Sequence, residues 1–102
     1  MENQVVELVV YKVKNEYIEN FQSEVIPKFR ELVKGFGGIV SMQTFQCIEQ
    51  QGVYYDHVVW ENHKFALSAA KKFEDFQQKG ENLELISWFE EVKFMDHFKQ
   101  VA

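Results

Sequence analysis

The sequence predicts an α+β fold of βαββαβ order, four antiparallel strands with two helices on one face of the sheet. Three observations carry that prediction. Val5–Val13, Ile39–Ile48, Val53–Glu61 and Glu90–Val101 have the β-branched, aromatic or alternating character of strands. Two stretches with apolar residues every three or four positions separate the first strand from the second and the third from the fourth. The second and third strands are joined only by a short polar connection around Gln50-Gln51-Gly52, a length that suits a hairpin.

The elements follow in order. After the first strand, Asn15 offers an N-cap oxygen to a helix that runs to about Lys34, where Gly35 stops it. Ile18, Phe21, Val25, Phe29, Leu32 and Phe36 fall on one side of that helix and form its core stripe. Pro27 lacks an N–H and crowds the preceding turn, so the helix is expected to kink or to restart near Glu24. Gly37-Gly38 turns the chain into the second strand. The abrupt change at Trp60-Glu61 marks the junction with a second helix, capped by Asn62, striped by Phe65, Ala69, Phe73 and Phe76, and ended by Gly80. Leu85, Ile86 and Trp88 then pack a short helical turn onto the domain before the last strand.

Two right-handed crossovers in this order give the ferredoxin-like arrangement, with one sheet face left uncovered. Apolarity assigns Val6, Leu8 and Val10, Val40 and Met42, Val58 and Trp60, and Val92, Phe94 and Phe98 to the helix side. The open side then carries Glu7, Val9, Tyr11, Ser41, Gln43, Phe45, Tyr55, His57, Met95 and His97. Such an amphipathic face is expected to be covered by a second copy, giving a homodimer.

Composition narrows the classes. At 102 residues and 46% hydrophobic, the chain holds material for one core, so residues 1–102 are read as one domain. The net charge of −5, with acidic and basic residues interspersed, argues against a nucleic-acid or anionic-membrane partner. A lone cysteine, Cys47, allows no internal disulfide and no thiolate zinc site. With an acidic, interrupted N-terminal segment and no apolar run approaching a membrane span, a cytoplasmic setting is expected. No histidine pair has a metal-ligand spacing, so no metal is expected. The glycines of Gly35-Phe36-Gly37-Gly38 follow a helix instead of joining a strand to one, which makes them turn residues and not a phosphate cradle. A nucleophile elbow of GxSxG type is also absent.

The strand-to-helix sequence VVWENHKFALSAAKKF and the closing FEEVKFMDHFKQV, set in the βαββαβ order, resemble the antibiotic-biosynthesis-monooxygenase-like group of dimeric α+β barrels. The likeness spans nearly the whole chain. It implies a fold shared by cofactor-free oxygenases of quinol- or anthrone-like aromatics, by haem-degrading enzymes and by small proteins without established activity. Of the residues that the resemblance associates with haem degradation, only Trp60 has a match: the first strand has no Asn, and the helix positions where a His belongs read Ala69, Ala70 and Lys71. No cofactor is therefore expected.

The candidate catalytic residues are His57 and His97, because an imidazole can take or return the proton of a phenol near neutrality. With both on the open face, Tyr11, Gln43, Phe45, Tyr55 and Met95 would line a substrate pocket beside them. The competing reading gives the same histidines to polar contacts across a dimer interface. His63, in the first turn of the second helix, is expected to face solvent, and Trp60 to anchor the core. Two function classes follow: a cofactor-free monooxygenase of a small aromatic, and a non-catalytic dimer that binds a small ligand or serves as a structural module.

Overall fold

The computed structural model describes residues 3–102. Strands β1 (Val5–Val13), β2 (Ile39–Gln46), β3 (Val53–Trp60) and β4 (Phe89–Phe98) form one antiparallel sheet in the order β2-β3-β1-β4. Helices α1 (Ile26–Lys34) and α2 (His63–Lys79) pack on one face, and the single-turn α3 (Leu83–Ile86) leads into β4. This is the expected ferredoxin-like order. None of the described helices is long and apolar enough to cross a membrane.

The first helical stretch is broken. A 3-10 turn at Asn15–Tyr17 and a π-helical turn at Phe21–Val25 precede α1, which begins one residue before Pro27. The proline cannot donate to the turn behind it, and the wider π turn, with Val25 N–H donating to Asn20 O, absorbs the mismatch. Asn15 lies inside the 3-10 turn and caps nothing. The second helix has its expected ends. Asn62 Oδ1 accepts from Phe65 N–H at 3.1 Å, and Gly80, at φ +68°, lets the Gly80 and Glu81 amides close on Gln77 and Phe76. Gly38 is required twice over, by its φ of +83° and because a Cβ there would strike the Phe65 ring.

Two clusters fill the space under the helices. Tyr11, Val13, Phe21, Tyr54 and Trp88 form one; Val33, Val58, Trp60, Ala66 and Ala69 form the other; Phe29 touches both. Trp60 is the core anchor its position suggests, and Trp88 is equally buried, with its indole N–H donating to Leu85 O at 3.0 Å.

The register corrects the face assignment of two strands. In β1 it is Glu7, Val9, Tyr11 and Val13 that face the helices, with Tyr11 2% and Val13 0% exposed, while Val6, Leu8 and Val10 line the open face. Both sides of β1 are apolar, so pattern gave no phase; the Tyr11 hydroxyl can be buried because Asp56 accepts its hydrogen bond. In β4 a bulge lies between the Val10–Phe94 and Tyr11–Val92 pairs. Two residues oppose one there, so Val92 faces the helices while Phe94, Asp96 and Phe98 face away, and Met95 and His97 turn inward. A second irregularity, at the start of β2, leaves Val40 half exposed and brings Ile39 to the core. His57 and His97, expected on one face, therefore lie on opposite faces of the sheet.

Candidate functional site

A cavity of about 180 Å³ lies between the sheet and the helices. Its walls are largely apolar, with Val9, Met42 and Val58 from the sheet, Phe29 from α1, Phe73 from α2, and Trp88, Val92 and Met95 beside them. Two carboxylates interrupt that lining, Asp56 of β3 and Glu7 of β1.

Asp56 follows from strand alternation: Tyr54, Asp56, Val58 and Trp60 all point to the helix side, so a carboxylate takes a position its neighbours fill with core residues. It is 6% exposed. Its Oδ1 accepts from the Tyr11 hydroxyl at 2.8 Å and from the Thr44 hydroxyl at 2.9 Å, and Thr44 Oγ1 in turn accepts from Arg30 Nη2 at 3.1 Å. Burial raises its pKa above the ordinary aspartate range, against the opposing pull of those hydroxyls and of Arg30. Tyr11 is pushed up as well, by burial and by the adjacent Asp56 charge, so its hydroxyl remains a donor. Both hydrogen bonds end on Oδ1, and among the described residues none ends on Oδ2.

Glu7 is held in a similar way, diagonal to Asp56 on the same face of the sheet. Its Oε1 accepts from Trp60 Nε1 at 3.2 Å and lies 3.1 Å from His97 Nε2, a contact that requires the imidazole to carry a proton on that nitrogen. The exposed His63 sets its ring edge against His97, with centroids 5.1 Å apart. Among the described residues no group of three or more His, Cys, Asp or Glu side chains could hold a metal ion.

The residues singled out in the sequence divide between two places. Tyr11 and Met95 line the cavity, and His97 reaches it through Glu7. His57, Gln43, Phe45 and Tyr55 occupy the open face, where Phe45 and Tyr55 stack with ring centroids 4.7 Å apart. The structure thus separates the two histidines and gathers instead Asp56, Thr44, Arg30 and Glu7, which residue type alone did not point to. The signal for Asp56 was present: it shares the phase of Val58 and Trp60 in VYYDHVVW, where an unpaired carboxylate has no structural reason to be buried.

The ferredoxin-like fold of this chain is similar to that of solved antibiotic-biosynthesis-monooxygenase structures. A provisionally named antibiotic biosynthesis monooxygenase from Bordetella bronchiseptica superposes with a TM-score of 0.75 at 20% identity, over 98% of this chain and 99% of that one. SnoaB, a cofactor-independent oxygenase from Streptomyces nogalater, does so with a TM-score of 0.73 at 14% identity, over 98% and 95%. A conserved protein from Methanosarcina mazei gives 0.67 at 12%, over 98% and 95%. No family model matches the chain, and no curated protein matches it in sequence. The resemblance seen in the sequence holds at the level of the fold.

Proposed function

We propose that this chain is a cofactor-free oxygenase in which Asp56 takes the hydroxyl proton of a small quinol- or anthrone-like aromatic held between sheet and helices. The observation that carries the proposal is the buried Asp56 carboxylate, on the wall of a largely apolar cavity and with one oxygen that takes no hydrogen bond from the described residues. A carboxylate whose pKa burial has raised is a stronger base than a solvated one, and such groups concentrate at functional sites. The fold shared with a cofactor-independent oxygenase supports the reaction class.

The chemistry balances without a cofactor. Loss of the proton makes the ring electron-rich enough to reduce dioxygen. One oxygen atom bonds to a ring carbon, which loses its hydrogen; the other leaves as water; the four electrons come from the substrate. Tyr11 and Thr44 keep the Asp56 carboxylate oriented through its other oxygen, Met95 encloses the ligand, and His97 holds Glu7. His57, Gln43, Phe45 and Tyr55 then belong to a homodimer contact on the open face, whose Phe45, Phe94 and Phe98 are each more than 40% exposed. That much aromatic surface on one face fits a self-complementary contact with a second copy.

The test is oxygen uptake by the purified protein, with chelator and without added cofactor, over a series of hydroxylated one- to three-ring aromatics, beside Asp56→Asn. Uptake that Asp56→Asn abolishes supports the reading. Binding in a thermal-shift titration without uptake favours the non-catalytic ligand-binding dimer, and neither binding nor uptake overturns both.

A further inference from the structure

The cavity has two carboxylates where deprotonating one hydroxyl needs one. In the sheet register Glu7 pairs with Val58 and Asp56 pairs with Val9. The two acids are therefore diagonal neighbours on the helix side, with Cα atoms roughly 7–8 Å apart. Val9 and Val58 complete the square and give an apolar floor between them. Among the described residues each acid is hydrogen-bonded through one oxygen only: Asp56 Oδ1 to Tyr11 and Thr44, Glu7 Oε1 to Trp60 and His97. Two acceptors thus face a hydrophobic slot from its two ends, each oriented by two protein groups.

The space is about 180 Å³, enough for the one benzene ring that a cavity of about 150 Å³ lined by aliphatic and aromatic side chains holds, and it is open beside Val92 and Met95, each more than 40% exposed.

We infer that Glu7 is a second anchoring carboxylate and that the cavity selects an aromatic ring with hydrogen-bond donors at opposite ends, a benzene-1,4-diol. One hydroxyl donates to Asp56 Oδ2 and the other to Glu7 Oε2, while the ring lies on Val9 and Val58 beneath Phe29 and Phe73. A 1,2-diol directs both hydroxyls to one side and meets one carboxylate. A 4-alkoxyphenol leaves Glu7 without a donor. The inference rests on the reading of this cavity as the ligand site, and it narrows the quinol- or anthrone-like class to its two-donor member.

The experiment is a calorimetric titration of the full chain under anaerobic conditions, where no oxidation occurs, with phenol, 4-methoxyphenol, catechol, hydroquinone and anthrone. Hydroquinone is expected to bind about tenfold or more tighter than phenol or 4-methoxyphenol, the worth of one added charge-assisted hydrogen bond. Glu7→Gln is expected to remove that preference, so that hydroquinone binds the variant no tighter than phenol or anthrone, which lack a second donor, bind it. Equal binding of phenol and hydroquinone, or a preference that survives Glu7→Gln, overturns the second anchor while the cavity reading stands. Failure of every one-ring compound to bind overturns both. The wild-type series decides the matter by itself if Glu7→Gln does not fold.

Discussion

The hydroxyl of Tyr11 should be worth more to this protein than an ordinary buried hydroxyl, because it donates to a carboxylate that burial has left short of solvation. Tyr11→Phe removes one oxygen from a residue 2% exposed and leaves the ring contacts with Phe21, Tyr54 and Trp88 in place. The loss is therefore one hydrogen bond to a charged acceptor, about 1.5–3 kcal/mol. For a domain of this size that is a fall in Tm of roughly 6–20 °C. In an Asp56→Asn background the same change removes a bond to a neutral amide oxygen and costs about 0.5–1.5 kcal/mol. A double-mutant cycle by urea denaturation near neutral pH should return a coupling of about 1 kcal/mol between the two positions.

The sign with pH follows from the raised pKa of Asp56. The folded state holds the aspartate proton more tightly than the unfolded chain does. The wild type should therefore be most stable at acidic pH with respect to this group, and lose that stability as pH rises through the folded-state pKa. Asp56→Asn should not show that decline, and the cost of Tyr11→Phe should shrink as pH falls and Asp56 is protonated. A Tyr11→Phe cost below about 0.5 kcal/mol near neutrality, or the same cost with and without Asp56, would refute the account of this pair, since no charged acceptor would then be involved.

Three further outcomes are expected. Val58→Phe, which drives a ring into the cavity from its floor, should end aromatic binding in a calorimetric titration at an overpacking cost of about 1–3 kcal/mol. Phe94→Glu with Phe98→Glu, both on the open face, should give a monomer by sedimentation velocity while near-UV circular dichroism of the buried aromatic cluster stays as in the wild type. Gly38→Ala should destabilise by about 1–3 kcal/mol in chemical denaturation, from the positive φ alone, with more lost as Phe65 is displaced.

The sequence by itself determined the order of elements, the broken first helix, the hairpin after β2, both ends of α2 and the burial of Trp60. Each of these depends on local causes: a proline without an N–H, an asparagine oxygen next to free amides, a glycine at positive φ, an apolar period that matches a helix. Which face of β1 and β4 meets the helices was not decided locally. Val6, Leu8 and Val10 are as apolar as Val9, Tyr11 and Val13, and one bulge in β4 reverses the phase of everything after Val92. That reversal moved His97 away from His57, and the phase of β1 against β3 brought Tyr11 beneath the helices.

The candidate site depends on the same tertiary facts. Asp56, Thr44 and Arg30 lie on three different elements and Glu7 on a fourth, and nothing in their spacing along the chain joins them. They meet because strand pairing sets β3 between β2 and β1, and because a buried carboxylate must draw hydroxyls and a guanidinium toward it once it leaves water. Residue type marked the histidines as the groups able to carry a proton. The pairing of strands distant in sequence decided that a buried aspartate faces the cavity instead.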